Sequence, residues 1–304
     1  VVIGVMGAGA VGSYFGGKLA KAGHEVIFVA RGEHLDRMRR NGLVVKSTGG
    51  DFHLIPRAVG LPEEAGPCDL ILFTPKNYDT ETAARAMAPM LADDTVVIPL
   101  QNGVDNEERL SAIIGPRRVI GGLCYVGARI DRPGEVIHSA AGRVIIGELD
   151  GRHTIRIAQV ERLFLDAGVT VEVSLDIRAD KWRKFCWNIS FNTVSALTRA
   201  TVGQMLALES CREVIRTAVA EGVAVARTRG VRLPEDFPDR VLADNAVYRD
   251  LKTSMLQDLE KGRPLEADSL SGVVVRYADE AGVPVPVNRT LYGLLSCLGS
   301  ALRA

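Results

Sequence analysis

The first twelve residues, VVIGVMGAGAVG, carry glycines in a spacing suited to phosphate chemistry. An apolar run leads into Gly7-Ala8-Gly9-Ala10-Val11-Gly12, and an amphipathic segment follows to Ala22. Strand, glycine turn and helix in that order make a dinucleotide-binding pattern. Gly7 permits the tight turn, Gly9 leaves room for a pyrophosphate against the backbone, and Gly12 lets the helix pack on the strand. The start of the helix would offer unpaired N–H groups and the positive end of its dipole to the phosphates. The next apolar run, EVIFVA, ends in Ala30-Arg31. A site for NAD wants a carboxylate there for the ribose 2′-OH, whereas an arginine can fork a 2′-phosphate, so Arg31 points to NADP(H).

A second group of residues lies far downstream. Within KWRKFCWNISFN, residues 181–192, Lys184, Asn188 and Asn192 recur every four positions and form one polar strip on a helix otherwise rich in Trp, Phe and Ile. Buried amides need hydrogen-bond partners, and a buried ammonium needs them more. Such a strip suits a wet cleft or a polar ligand; a polar network between helices is the competing reading. Ser254 opens an amphipathic stretch, and Glu266 is expected in the first turn of a further helix, where a carboxylate commonly serves only the helix dipole.

These residues need elements to hold them. Strands are expected at the N-terminus and over 25–30, 43–47, 52–55, 69–74, 95–99, 117–126, 134–138, 143–148 and 169–174. Helices are expected over 13–22, after Arg31 to Arg40, and over 79–91, 105–113 and 154–167. Lys76 and Asn102 then follow strand ends on the same sheet edge as the glycine turn, where open α/β sheets gather ligands. From about Asp176 the pattern turns to long helical periods, near 177–199, 208–229, 238–261 and 264–281, with breaks at Gly230, Pro234, Gly262-Arg263-Pro264 and Gly282. The fold class predicted is α/β: an N-terminal Rossmann-type doubly wound domain over 1–175 followed by an all-helical domain over 176–304.

Composition sets the outer bounds. The 304 residues are 47% hydrophobic, enough for two cores, and 37 basic residues balance 37 acidic ones. That balance gives no argument for nucleic acid or an anionic membrane. The local cluster Arg31, Arg37, Arg39 and Arg40 lies where a 2′-phosphate would sit. The five cysteines are scattered without CxxC spacing and the five histidines form no ligand cluster. Reduced thiols, no metal site and a cytoplasmic location are the expectations. No apolar run spans a bilayer, and with a core strand at the N-terminus no signal peptide is expected. An amphipathic helical domain is a candidate homodimer contact.

GAGAVG at 7–12 followed by Arg31, LQNG at 100–103, PGEVIHSAAGRVIIGEL at 133–149, KWRKFCWNISFN at 181–192 and SMLQDLEKGRPLEAD at 254–268 occur together in one order. In this the chain resembles the ketopantoate reductases, 2-dehydropantoate 2-reductases of pantothenate biosynthesis that use NADPH. The resemblance runs nearly the whole length and implies a Rossmann domain, a helical domain and an active site in the cleft between them. It makes Lys184 the general acid, Glu266 its orienting partner and a contact for the substrate hydroxyl, and Asn188 and Asn192 substrate hydrogen-bonders. Ser254 would bind the substrate carboxylate, and Asn102 would touch both substrate and nicotinamide. Residues 7–12, Arg31, Lys76 and Ala128 would hold the cofactor. Two positions depart from members that carry polar contacts there, Leu251 and Val202. They leave open a related reductase of another branched 2-oxo acid, such as 2-ketoisovalerate. A non-enzymatic NADP(H) sensor is the more distant alternative, and a proton donor at Lys184 argues against it.

Overall fold

In the computed structural model, which describes residues 1–243 and 249–302, the chain divides into two units, Val1–Gln101 with Asp105–Ile177 and Asn102–Val104 with Arg178–Ala304. The first unit runs β1 (Val2–Met6), α1 (Ala10–Lys21), β2 (Glu25–Val29), α2 (Gly32–Asn41), β3 (Leu43–Ser47), β4 (Phe52–Leu54), β5 (Arg57–Val59) and β6 (Cys68–Phe73). It continues through α3 (Thr80–Ala86), β7 (Leu91–Pro99), α4 (Asn106–Ile114), β8 (Gly121–Arg132), β9 (Glu135–Gly147), α5 (Ile155–Asp166) and β10 (Thr170–Val173).

The first sheet is wholly parallel in the order β5-β2-β1-β6-β7. Its central strands β1, β2 and β6 read mainly as apolar runs because both faces are covered. Val26 and Phe28, Leu70 and Leu72, and Val96 and Ile98 enter one core; Ile27 and Val29, Ile71 and Phe73, and Val97 enter the other. Helix α1 presses close to this sheet through glycine: a Cβ on Gly16 would lie 2.6 Å from Val5 Cγ2 and 2.8 Å from Phe28 Cε1. Parallel strands with helical crossovers make this the doubly wound α/β fold expected.

A second sheet takes the order β10-β9-β3-β4, with β8 antiparallel along β9. The two strands expected over 134–138 and 143–148 are one strand, β9, interrupted by a bulge. Ala141 and Gly142 there take φ of 57° and 104°, and the register against β8 shifts beside them. Gly142 is required twice over, since a Cβ would also meet the Tyr14 hydroxyl at 2.6 Å. Strand β5 has no counterpart among the expected strands; three residues are too few to show a period. The expected helix 79–91 is a short α3 flanked by 3₁₀ turns, because Pro89 cannot continue it.

The second unit is helical: α6 (Ile177–Trp187), a π-helical turn (Asn188–Asn192), α7 (Thr193–Thr198), α8 (Val202–Leu206), α9 (Glu209–Thr228) and α10 (Phe237–Ala243). Then come α11 (Ser254–Glu260), a second π turn (Asp268–Gly272), α12 (Val273–Ala281) and α13 (Pro286–Ala301). The expected helix 238–261 is not continuous. Part of it, 244–248, lies outside the described residues, and the chain through 251–253 is non-helical until Thr253 caps α11 by accepting from Leu256 N at 3.3 Å. None of the described helices is long and apolar enough to cross a membrane.

Helix α13, which follows the last break read from the sequence, is tied down by an acid on α9. Glu221 is 8% exposed. Its Oε1 accepts from Val287 N at 2.9 Å, and its Oε2 from Asn288 N at 2.8 Å and Asn288 Nδ2 at 2.7 Å. The carboxylate thus caps the N–H groups that every helix start leaves unpaired. Glu221→Ala should therefore lower unfolding stability by about 2 kcal/mol, read from the midpoint of urea denaturation. An unshifted midpoint would remove the cap from the account of this unit.

Candidate active site

The glycine turn leaves β1 at the carboxyl edge of the first sheet. Gly7 has φ of +89°, and a Cβ on it would strike Pro75 N at 2.8 Å, so only glycine fits the turn. Thr74 Oγ1 donates to Gly7 O at 2.7 Å, fixing the turn to the end of β6. A Cβ on Gly12 would meet Thr74 Oγ1 at 2.5 Å and Gly7 O at 2.8 Å. Gly9 differs: a Cβ there would meet nothing nearer than Gly7 O at 4.0 Å. That residue starts α1 with no side-chain cap and no acid in the first turn. Open space before a helix start with no side-chain cap is the arrangement a pyrophosphate needs. Ala8 is buried, while Ala10 and Val11 are half-buried.

A histidine that the sequence did not single out steadies this turn. His34 Nδ1 accepts from Gly134 N at 3.0 Å, which leaves the ring proton on Nε2, 3.4 Å from Ser13 Oγ. Ser13 Oγ donates in turn to Ala8 O at 3.1 Å. Burial lowers the His34 pKa, in keeping with the neutral ring that this chain of bonds requires.

Parallel topology brings the ends of β2, β6 and β7 to the same edge. Arg31 follows β2 and donates through Nη2 to Asp79 Oδ2 at 2.8 Å. Lys76, half-buried, opens the turn after β6 that ends in Asp79. Gln101, at the end of β7, donates through Nε2 to Pro75 O at 3.0 Å and Thr80 Oγ1 at 2.9 Å, and so braces the segment that bears Lys76. Asn102 comes next in the chain and groups with the second unit. Ala128 lies apart in β8, opposite His138 of β9, with its methyl packed on the core that contains Ala8.

In the second unit, Lys184 is half-buried on α6, one helical turn before the π turn that carries Asn188 and Asn192. Asn192 Nδ2 donates to Asn188 Oδ1 and to Ser254 Oγ, each at 3.5 Å. These three polar residues are therefore one group. The two amides are 5% and 2% exposed, and Asn188 Nδ2 and Asn192 Oδ1 find no hydrogen-bond partner among the described residues. A buried donor and a buried acceptor left over on these two amides call for polar partners, a ligand or bound water. Ser254 itself is exposed at the start of α11. Glu266 is half-buried but does not stand in a first helical turn. Residues 263–266 are non-helical and the π turn begins at Asp268, so a helix-dipole role does not account for its carboxylate.

Two π turns occur in this unit, and Thr193, the residue after the first, meets Ser271 of the second, Oγ1 to Oγ at 2.9 Å. The second is closed by Gly272 N donating to Ala267 O at 3.0 Å, five residues back. Single π turns inside helices commonly mark functional positions. Of the two departures noted above, Val202 is wholly buried and its N–H donates to Leu251 O at 3.1 Å, while the Leu251 side chain is 37% exposed. Only Leu251 presents a side chain to solvent. Burial pushes the Cys68 thiol up to about 11 and Cys186 up to about 12, so neither supplies a thiolate near neutral pH.

Comparison with known proteins joins these observations. The family described as ketopantoate reductase PanE/ApbA matches residues 3–151, and its C-terminal counterpart matches residues 176–298. A 2-dehydropantoate 2-reductase of Mesorhizobium japonicum is 35% identical over 303 residues, covering 93% of each chain. One from Archaeoglobus fulgidus is 35% identical over 298 residues and covers 98% of each. The crystal structure of a PanE/ApbA family ketopantoate reductase from Ralstonia eutropha superposes with a TM-score of 0.93 at 36% identity, covering 100% of both chains. With both family segments matched in order and relatives aligned end to end, the chain belongs to the ketopantoate reductase family of oxidoreductases.

Proposed function

We propose that this protein reduces 2-dehydropantoate to pantoate, with NADPH as the reductant and Lys184 as the proton donor. The observation that carries the reading is the pair of orphaned amide atoms on Asn188 and Asn192, buried beside Ser254 and one turn from an ammonium. 2-Dehydropantoate supplies acceptors in its keto and carboxylate oxygens and a donor in its hydroxyl to match them, and relatives at this identity are named for that substrate. The cofactor fits the first unit through the open space at Gly9, the uncapped start of α1 and the guanidinium of Arg31.

Bound NADPH would supply the hydride from C4 of its nicotinamide. The other half of the reaction falls to the chain. As the ketone carbon gains hydride, charge develops on its oxygen. Lys184 Nζ would hydrogen-bond that oxygen beforehand and deliver the proton to it as the C–O bond becomes an alcohol. Glu266 would keep Lys184 charged against the cost of partial burial. Ser254 would hold the substrate carboxylate, Asn188 and Asn192 its polar groups, and Asn102 the substrate end nearest the nicotinamide. Lys76 and the backbone beside Ala128 would complete the cofactor site.

Following NADPH absorbance with ketopantoate and with a panel of 2-oxo acids that includes 2-ketoisovalerate tests the substrate. Oxidation with ketopantoate is expected; oxidation with another acid instead would transfer the reading to that substrate, and none with any would favour the sensor. Arg31→Ala should raise the Kd for NADPH by about tenfold, the worth of one charge-assisted hydrogen bond, and leave NADH nearly unaffected. Equal losses for the two cofactors would show that Arg31 reads something they share.

A further inference from the structure

The carboxyl edge of the first sheet holds one charge pair that dinucleotide binding leaves unexplained. Arg31 follows β2 and Asp79 lies beyond β6; the strand between them in the sheet is β1, which feeds the glycine turn. Their bond, Arg31 Nη2 to Asp79 Oδ2 at 2.8 Å, therefore reaches across that strand's end. The Arg31 side chain is 86% exposed and Asp79 33%. Asp79 is nonetheless placed firmly. Its N–H donates to Lys76 O at 2.8 Å, and the adjoining Thr80 hydroxyl accepts from Gln101 at 2.9 Å. The acid is thus fixed by the turn that carries Lys76, and the arginine swings to meet it.

We infer that Asp79 determines how strongly this protein prefers a 2′-phosphorylated cofactor, by competing with the phosphate for Arg31. The inference rests on the reading of Arg31 as the phosphate ligand. An incoming 2′-phosphate carries nearly two negative charges. It must draw the guanidinium from Asp79 or share it, and in either case it meets a carboxylate that cannot move far. A cofactor with a free 2′-OH disturbs the pair much less. Asp79 therefore weakens NADPH selectively, and the preference of the wild-type protein is the remainder after that opposition.

Titration of NADPH and NADH against the full-length protein, followed by nicotinamide fluorescence, tests this in wild type, Asp79→Asn, Arg31→Ala and the double variant. Asp79→Asn keeps the size and removes the charge. It should tighten NADPH roughly three- to tenfold, the scale of an exposed ion pair plus a nearby like charge, with NADH nearly unchanged. In the Arg31→Ala background the gain should vanish. Unchanged or weaker NADPH binding in Asp79→Asn would overturn the inference, as would an equal gain without Arg31. If Arg31→Ala alone weakens both cofactors alike, the phosphate reading fails and the inference fails with it. If Arg31→Ala is selective while Asp79→Asn has no effect, only the role of Asp79 is lost.

Discussion

Lys184→Ala is expected to lower kcat for ketopantoate reduction by about 10²- to 10⁴-fold and to leave NADPH binding unchanged. The split follows from where the residue stands. Lys184 belongs to the second unit, one turn from Asn188, while the glycine turn and Arg31 belong to the first. Removing the ammonium takes away both the charge that meets the developing alkoxide and the proton that quenches it. Lys184→Arg separates these two contributions. A guanidinium keeps the charge but gives up its proton reluctantly, so turnover should recover only in part. Pre-steady-state and steady-state rates with saturating NADPH measure both variants. Wild-type turnover in Lys184→Ala would take this residue out of the mechanism.

Two alanine substitutions in one turn should fail in opposite ways. Gly9 has φ of −74° and ψ of −161°, which any residue adopts, and open space where a Cβ would project. Gly9→Ala should therefore melt at the wild-type temperature. Its methyl would stand between the backbone and a pyrophosphate, however, and would block charge-assisted hydrogen bonds worth about 1.5–3 kcal/mol each. NADPH should bind about 10²-fold more weakly on that basis. Gly12→Ala should do the reverse first, lowering the melting temperature, because its Cβ would lie 2.5 Å from Thr74 Oγ1. Thermal melts with and without NADPH distinguish the two. Normal NADPH affinity in Gly9→Ala would mean that the empty space there serves no ligand.

What the sequence discloses, and what it withholds, follows from the range of the interactions involved. Strands β1, β2 and β6 declare themselves as apolar runs because each is covered on both faces, and the parallel α/β fold follows from their alternation with helices. Strand β5 is set by its bonds to β2, not by any local pattern. The bulge that joins two expected strands into β9 depends on Gly142 fitting under Tyr14, a residue 128 positions away. The polar strip Lys184-Asn188-Asn192 is visible as spacing, and its link to Ser254 needs the tertiary structure. His34 carries no motif; only its bonds to Gly134 and Ser13 give it a task. Glu266 reads as a helix-capping acid because Pro264 resembles a first-turn proline. The chain stays non-helical there until a π turn, which has no signature in composition or period.

The two π turns make residue number, as well as residue type, part of the specification. The first is a phase slip of a single residue between α6 and α7, the second opens α12, and the hydroxyls of Thr193 and Ser271 latch one to the other. A one-residue deletion within Asn188–Asn192 would restore ordinary winding yet rotate all that follows by about 100°. Where the residue removed is Ile189 or Phe191, Thr193 would lose its latch and Asn192 its alignment with Ser254, although every polar group was still present. The polar group is thus kept by counting, and a frame of this kind tolerates exchange of side chains far better than omission of one.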